Sequence, residues 1–285
     1  KNRFGKMWEC PDFFKLNGKD VLLMSPQDML PEGFEYHNGN GNMCIIGEFD
    51  KEKGIFHEQY SQSADYGIDF YAHQTVLKQD GKRVMIGWMQ NWDACAIRAH
   101  DEVWAGQMSL PREIWIENNR LYQRPASEYE ARLKNKVEYK DVEVDKNIGE
   151  LQLEGIKGRT LDLQIRIRAK DIKDPYYKFT IYFAKKDKLY TSLSFRPYEN
   201  ILKIDRKFSG SRRAILHQRR MLVPDSENGS IRLRMVLDRY SCEVFVGDGE
   251  RVMTTAIYTD IKAEDIVFAC DGEALMDIIK QDVIL

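Results

Sequence analysis

The 285-residue chain is predicted to be an all-β protein. Short apolar runs broken by turn residues dominate its first 125 residues, and helical periodicity is not convincing there. Beyond residue 142, apolar and polar residues alternate, as in Leu161-Asp162-Leu163-Gln164-Ile165 and again over 231–238. A period of two with one apolar face is typical of half-buried antiparallel strands. These observations predict many short strands that form a sandwich, a barrel or a propeller.

The strands predicted in the first half of the chain follow one another closely. Val21–Met24 is the first clear one, and Met43–Phe49 is the next. Phe70–Val76 and Arg83–Met89 flank Asp80-Gly81, a dipeptide that favours a tight hairpin turn. The apolar runs are strand-sized and fall far short of the roughly 20 residues that a membrane helix needs. We therefore predict no membrane span.

A domain boundary is predicted where the character of the sequence changes. Ser127 can cap a helix, and Glu130, three residues later, can close a capping box. The charged segment that follows predicts a linker helix over 127–139. Residues 1–126 are then one domain, and residues 140–285 are predicted to form a β-sandwich of two facing sheets.

Charge and cysteine content exclude several classes of protein. The net charge of −2 gives no reason to expect nucleic acid or an anionic membrane as a partner. The five cysteines are odd in number and widely spread, and no Cys-x-x-Cys occurs. This pattern argues against a disulfide framework or a zinc site and for a reducing compartment, so we expect a cytoplasmic location. No Gly-rich phosphate loop, His-Glu-x-x-His motif or nucleophile elbow is present.

A carboxylate near the start of the chain is the first candidate for chemistry. Glu9 stands between Trp8 and Cys10, and Pro11 fixes the backbone that follows. A carboxyl group against an indole and a thiol is poorly solvated, which favours its protonated form. Such an acid can donate its proton to a leaving group. A buried Glu9 that caps a turn, or an exposed one, is the alternative that these residues leave open.

Motifs spread along the chain resemble those of a known family. They are Trp8-Glu9-Cys10-Pro11-Asp12-Phe13, Asp69-Phe70-Tyr71-Ala72, Gly87-Trp88-Met89, Ser109-Leu110-Pro111-Arg112-Glu113 and the late strand Leu237–Phe245. In this order they resemble the glycoside hydrolase family that contains invertases, sucrose-6-phosphate hydrolases, levanases and inulinases. The matches run from Trp8 to Phe245 and so cover nearly the whole chain.

The resemblance implies both a fold and an activity. It selects a five-bladed β-propeller for the first domain, with only the C-terminal blades present here, followed by the β-sandwich. It implies a retaining β-fructofuranosidase that acts on sucrose, sucrose-6-phosphate or a fructan, with no metal and no organic cofactor. Glu9 is the implied acid/base. A non-catalytic carbohydrate-binding or assembly fragment is the alternative.

Four further residues are candidates for substrate binding. Asp69 and Tyr71 are two residues apart on a probable strand, so their side chains are expected to share a face. Trp88 could pack its indole face on a sugar ring, and Cys10 adjoins the predicted acid. A solvent-facing Asp69, a packed Tyr71 and a core Trp88 remain alternatives. Trp92 and Trp104 are weaker candidates.

Two charged segments carry less specific signals. The loop residues Asp93, Arg98 and His100 could meet a phosphate or a second sugar, although a solvated charged loop is the commoner case. Basic residues also cluster at Arg206-Lys207, Ser211-Arg212-Arg213 and Arg219-Arg220. Arginine pairs well with phosphate. The nearly neutral total charge and the position in the sandwich favour a solvated hairpin or an interface.

The second carboxylate that a retaining glycosidase needs is missing from the sequence. The two carboxyl groups of such enzymes lie about 5–5.5 Å apart. The resemblance implies a nucleophile in an Asn-Asp-Pro motif and a stabilising Asp in an Arg-Asp-Pro motif, and neither occurs here. Lys173-Asp174-Pro175 is a poor match. We therefore expect this chain to be inactive alone, and to be completed by a missing N-terminal propeller segment or by homo-oligomerisation.

Overall fold

The computed structural model describes residues 4–92, 104, 106–210, 216–223 and 229–284. These residues form four sheets whose strands are all antiparallel, together with one short helix. The all-β prediction is confirmed. Each strand predicted in the first half of the chain overlaps an observed one.

Two four-stranded sheets form the first half of the chain. The first contains β1 (Met7–Leu16), β2 (Lys19–Gln27), β3 (Met43–Asp50) and β4 (Ile55–Ser63). The second contains β5 (Tyr71–Leu77), β6 (Arg83–Trp88), β7 (Arg112–Glu117) and β8 (Arg120–Pro125). Both are meanders, with each strand paired to the next in sequence. Val21 and Ile46 of the first sheet share one apolar cluster with Met85 and Leu121 of the second, an arrangement consistent with blades of a propeller.

The predicted linker helix is wrong in its length. Helix α1 covers only Ser127–Glu130, and its N-cap residue, Ala126, makes no side-chain capping bond. Leu133–Asp145 is instead strand β9, which pairs with the last strand of the chain. Val137 and Tyr139 pack against the sandwich core, and the charged residues that alternate with them, Lys136, Glu138 and Lys140, face solvent. Inward and outward side chains of β9 therefore alternate with period two. Because β9 is the edge strand of its sheet, its exposed charges discourage pairing with other chains.

Two facing sheets form the second half of the chain. The six-stranded sheet has the order β17-β16-β15-β10-β19-β9, and the five-stranded sheet has the order β14-β13-β12-β11-β18. Their remaining strands are β10 (Leu161–Ala169), β11 (Lys178–Lys186), β12 (Leu189–Arg196), β13 (Ile201–Asp205), β14 (Gln218–Leu222), β15 (Ile231–Asp238), β16 (Ser241–Val246), β17 (Arg251–Ala256), β18 (Asp265–Asp271) and β19 (Glu273–Val283). The inward residues of the alternating strands fill one core between the sheets.

The segment that connects the first two sheets (residues 64–70) packs into the sandwich. Tyr66 and Ile68 belong to the sandwich core, and their amides donate to carbonyl oxygens of β17 at 2.8 and 2.7 Å. Gly67 passes so close to Thr254 that an added Cβ would lie 2.0 Å from the Thr254 nitrogen. Only glycine fits at this point. The chain therefore enters β5 while attached to the sandwich.

A buried arginine joins the two halves of the molecule. Arg112 is fully buried, and its Nη1 lies 3.0 Å from a carboxylate oxygen of Asp65. Its Nη2 lies 2.6 Å from a carboxylate oxygen of Glu243 in β16 and donates to the hydroxyl of Thr254 at 2.7 Å. Buried charges need such partners. Two of the motifs found in the sequence, around Arg112 and Glu243, thus meet at the interface.

Candidate active site

Strands β1 and β5 bring Glu9 and Tyr71 together. The Tyr71 hydroxyl donates to Oε2 of Glu9 at 2.7 Å, and it also lies 3.2 Å from the carbonyl oxygen of Ser25. Glu9 is half-buried and Tyr71 is buried. Burial, and then the hydrogen bond to Glu9, raise the pKa of the Tyr71 phenol. The phenol therefore stays protonated at neutral pH and acts as a donor to the carboxylate.

Each of these two residues is followed by a β-bulge. The register of β1 against β2 shifts directly after Glu9, and that of β5 against β6 shifts directly after Tyr71. Cys10 and Ala72, the next residues, both have φ of 50°. Residues with a side chain seldom adopt this left-handed conformation, and bulges of this kind occur often beside active sites. The bulges set the directions in which Glu9 and Tyr71 point.

Hydrogen bonds between the two bulges fix the strands relative to each other. Gln74 Nε2 donates to the carbonyl oxygen of Cys10 at 2.7 Å. Oδ2 of Asp12 accepts from both the amide and the hydroxyl of Thr75, at 2.8 and 2.6 Å. Asp12 lies in the first motif, and its role here is to join two sheets. These bonds hold the separation between the Glu9 and Tyr71 side chains.

The predicted desolvation of Glu9 by Trp8 and Cys10 is wrong. Adjacent residues on a strand point to opposite faces, so Trp8 lies across β1 from the carboxylate. The Trp8 indole donates to the carbonyl oxygen of Phe4 at 2.8 Å and remains 46% exposed. The Cys10 thiol is also exposed. Among the described residues, a hydrogen bond to the Glu9 carboxyl group comes from Tyr71, more than 60 residues away in sequence.

Aromatic side chains form a wall beside this pair. Trp92 lies edge-on to Tyr71 with 6.0 Å between ring centroids, and Trp88 lies edge-on to Trp92 at 5.4 Å. Trp88 is half-buried and Trp92 is 47% exposed, so indole surface remains open to a ligand. Trp92 therefore belongs to this wall, although the sequence alone makes it a weaker candidate than Trp88. Trp104 instead packs against Tyr240 of the sandwich, at 6.2 Å.

Asp69 does not share the face of Tyr71. It precedes β5 and does not lie within it, so the period-two argument does not apply. Its carboxylate is fully buried: Oδ2 lies 2.5 Å from Nη1 of Arg206 and accepts from the amide of Ala256 at 2.7 Å. Its Oδ1 accepts from Nδ2 of Asn91 at 2.6 Å. Both oxygens are engaged inside the protein, so the expected contact between Asp69 and substrate is corrected to a structural one.

Arg206 is a site residue that sequence reasoning did not single out. In the sequence it belongs to a basic stretch that favours a solvated hairpin or an interface, and in the structure Arg206 lies in an interface and is 2% exposed. No local pattern pairs it with Asp69, which is 137 residues away. Other candidates lie outside the described residues: Asp93, Cys95, Arg98, His100, Ser211, Arg212 and Arg213.

A polar pocket adjoins the aromatic wall. Tyr71 and Trp92 line it together with Asn42, Asn91 and Arg219, and the last of these comes from β14 of the sandwich. Amide side chains carry both donors and acceptors, as hydroxyl-rich ligands require. Aromatic surface with a few convergent polar groups is typical of small-molecule sites.

A metal site, a membrane-spanning helix and a disulfide each require particular features of the described residues. Within those ranges, no group of three or more His, Cys, Asp or Glu side chains could hold a metal ion. No helix in the described part of the chain is long and apolar enough to cross a membrane. Cys44, Cys242 and Cys270 are buried free thiols. Such thiols pack as small apolar side chains.

A carboxyl group with a phenol partner lies beside exposed indoles, a surface that suits the apolar faces of sugar rings. The model of the glycosyl hydrolases family 32 N-terminal domain matches residues 1–125. The model of the family 32 C-terminal domain matches residues 128–281. The chain belongs to glycosyl hydrolase family 32.

Known proteins share sequence and fold with this chain. It is 32% identical over 291 residues to a sucrose-6-phosphate hydrolase of Staphylococcus xylosus, covering 98% of this chain and 55% of that protein. A β-fructofuranosidase variant of Bombyx mori, solved in complex with sucrose, has a TM-score of 0.73 and 28% identity, covering 99% and 56%. The sucrose-6-phosphate hydrolase of Lactobacillus gasseri shares the fold, with a TM-score of 0.82 at 24% identity, covering 100% and 57%. The chain spans about half the length of the curated relatives it matches.

Proposed function

We propose that this chain carries the acid/base of a retaining β-fructofuranosidase that cleaves sucrose, sucrose-6-phosphate or a fructan. The observation that carries the proposal is the 2.7 Å hydrogen bond from Tyr71 to Glu9 beside an open aromatic wall. A half-buried carboxyl group with one oxygen held by a neutral donor presents its other oxygen in a fixed direction. That is the arrangement a proton donor needs.

In this proposal Glu9 acts twice. It first gives its proton to the oxygen that leaves the fructosyl group, and the bond from that oxygen to the sugar breaks. As a carboxylate it then takes a proton from the water that releases fructose from the covalent intermediate. Tyr71 holds Oε2 throughout, and Trp88 and Trp92 offer indole surface to the sugar rings.

The nucleophile is proposed to come from outside these 285 residues. Asn-Asp-Pro and Arg-Asp-Pro are absent from the sequence, and the carboxylate of Asp69 is bound to Arg206. A further N-terminal propeller segment would supply the second carboxylate, or another copy of the chain in a homo-oligomer. We refer to the assembly that holds both carboxylates as the complete enzyme.

The relatives support a proposed substrate class, and the cysteines support a proposed location. The Staphylococcus xylosus relative is a sucrose-6-phosphate hydrolase, and the Bombyx mori structure holds sucrose. Sucrose-6-phosphate and sucrose are both fructosides with a glucosyl leaving group, and this supports the same substrate class for this chain. Free thiols at Cys10, Cys44, Cys242 and Cys270 support a reducing, cytoplasmic location. We propose no nucleic-acid or membrane partner.

Fructose release from sucrose and sucrose-6-phosphate tests the proposal. The complete enzyme should turn over at a rate within the ordinary range, on the order of 1–1000 per second. This chain alone should show no turnover, because it lacks the nucleophile. Sucrose binding by a complete enzyme that releases no fructose would favour the non-catalytic alternative. Rapid hydrolysis by this chain alone would show that one of its own carboxylates is the nucleophile.

A further inference from the structure

We infer that Arg206 of the sandwich is a positioning residue for the site that Glu9 and Tyr71 form in the first two sheets. The inference rests on the proposed function, since it takes Glu9 and Tyr71 as the working groups. Arg206 reaches them through Asp69, which is joined to both sides of the aromatic wall.

The first connection runs along the backbone. Nη1 of Arg206 lies 2.5 Å from Oδ2 of Asp69, and both side chains are almost fully buried. Asp69 is two residues before Tyr71, and only Phe70, itself buried in the core of the sheets, stands between them. In a site without water, a charge pair depends strongly on distance and direction. The position of Arg206 therefore fixes the point at which the chain enters β5.

The second connection runs through the other oxygen of the same carboxylate. Oδ1 of Asp69 accepts from Nδ2 of Asn91 at 2.6 Å. Asn91 directly precedes Trp92, whose ring lies edge-on to Tyr71 at 6.0 Å. One carboxylate thus holds the backbone before Tyr71 and the segment that carries the neighbouring indole.

Arg206 is itself held firmly by the sandwich. Its Nε and Nη2 lie 3.4 and 3.1 Å from the carbonyl oxygen of Leu216, and its guanidinium lies 5.0 Å from the centre of the Tyr258 ring. This fork of donors is specific to arginine. A lysine could keep the charge beside Asp69 but could not bond to Leu216 at the same time.

Another ion pair between the sandwich and the first half of the chain supplies the control. Arg251 in β17 lies 3.4 Å from a carboxylate oxygen of Glu35. Glu35 accepts from the amide of Ser63 and the hydroxyl of Tyr66. Tyr66 lies near the start of the connecting segment, whereas Asp69 lies near its end, directly before Phe70 and Tyr71. Arg251→Lys is therefore the same substitution at the same interface, but it acts on the chain farther from Tyr71 than Arg206 does.

The first test uses this chain with 13C label at the tyrosine Cζ atoms, and the Tyr71 resonance is assigned by its loss in Tyr71→Phe. Arg206→Lys should shift that resonance by more than its linewidth, and Arg251→Lys should leave it in place. An unshifted Tyr71 resonance in a folded Arg206→Lys chain would overturn the inference. If Arg206→Lys does not fold, Asp69→Asn removes the charge without changing the size and should produce the same shift.

The second test measures kcat and KM for sucrose in the complete enzyme. Displacing a catalytic group by a fraction of an ångström costs roughly 10-fold in rate, so Arg206→Lys should lower kcat about 10-fold and Arg251→Lys less than twofold. If Arg206→Lys and Arg251→Lys lose the same thermal stability and have the same kcat, Arg206 has only a structural role. An unmodified complete enzyme that cleaves no fructoside would refute the proposed function instead, while the Tyr71 resonance still decides the role of Arg206.

Discussion

Two carboxylates close to the same site have different surroundings. Glu9 is half-buried and receives one hydrogen bond from a neutral phenol. Asp69 is fully buried and has both oxygens engaged, one of them by the guanidinium of Arg206. A half-buried acid with a neutral donor can exchange a proton with a ligand, whereas a buried ion pair is a fixed connection between two parts of the fold. Two motifs of one sequence can therefore differ in role: we propose chemistry for the motif that contains Glu9, whereas Asp69 in the other motif joins two parts of the fold.

Backbone context produces this difference. Glu9 lies within β1 just before a bulge that redirects the strand, so its side chain points toward β5. Asp69 lies in the connecting segment whose amides bond to β17 of the sandwich, so its carboxylate points into the interface. Changes at Glu9 should therefore act directly on the rate. Changes at the buried interface charges should act first on stability, and should reach the rate only where they move Tyr71, as we infer for Arg206.

Replacing Glu9 should give the largest effect on rate. General acid–base assistance is worth roughly 10²–10⁴-fold, and Glu9→Gln in the complete enzyme should lose that much on sucrose while its thermal unfolding stays unchanged. The alkaline limb of the pH–rate profile should also vanish, because that limb reports the acid losing its proton.

An activated aryl fructoside serves as the control substrate. Its leaving group needs little protonation, so the first step of Glu9→Gln should largely survive and a covalent intermediate should accumulate. Similar losses on both substrates, with the alkaline limb intact and lower stability, would mean that Glu9 is structural.

Replacing Arg112 should give the largest effect on stability. It lies between Asp65 and Glu243 without exposure to water, and removing one partner of a buried charge network costs roughly 3–5 kcal/mol. Arg112→Met should therefore lower the free energy of unfolding of this chain by that amount. Arg232→Met is the matched control, since the side chains of Arg232 and Asp248 are 59% and 73% exposed in their pair, and an exposed pair is worth about 1 kcal/mol or less. Equal losses at the two positions would contradict a structural network at the interface.

The sequence predicts the sheets better than it predicts the site. Alternation over Leu161–Ile165 and the Asp80-Gly81 turn each specify local structure, because period and turn chemistry act over a few residues. The β9 strand was missed, because its charges looked helix-prone and only pairing with β19 defines it.

The site depends on contacts between distant residues. The motifs make both Glu9 and Tyr71 candidates, but they do not predict the pairing of the two side chains or the bulges that direct them. The bonds from Asp69 to Arg206 and to Ala256 span more than 130 residues. The period of the apolar residues and the spacing of the motifs carry no information about such distant pairs. The period-two argument therefore assigns Asp69 to the face of Tyr71, which is wrong.

Acid should weaken the fold through His73, which lies two residues beyond Tyr71. Burial lowers the pKa of His73 from 6.5 to about 4. Its contribution to stability is therefore complete above pH 6.5, where both states are neutral, and is lost as pH falls toward 4, because the unfolded chain binds the proton first. The shift corresponds to about 3 kcal/mol at most.

Urea unfolding of this chain near both ends of that pH window tests the prediction. His73→Leu should remove that part of the pH dependence, and the same change at the exposed His57 should leave it in place. An unaltered pH dependence in His73→Leu would place the acid sensitivity elsewhere in the chain.

The smallest expected effect isolates the hydroxyl of Tyr71. Tyr71→Phe keeps the ring against Trp92 and removes the hydroxyl, with its 2.7 Å bond to Glu9 and its longer contact with the carbonyl oxygen of Ser25. Glu9 is uncharged when it serves as the proton donor, and a hydrogen bond between neutral groups is worth roughly 0.5–1.5 kcal/mol. The kcat on sucrose should therefore fall about 2- to 10-fold. Because the hydroxyl acts through Glu9, the effect should depend on the carboxylate. Tyr71→Phe made in the Glu9→Gln background should therefore cost less than twofold, since residues that work as a unit are not additive. Four values of kcat, for the unmodified protein, the two single variants and the double variant, measure this coupling. If the two losses simply multiply, Tyr71 contributes to the site independently of Glu9, and the contrast between a chemical pair and a structural pair no longer holds at this position.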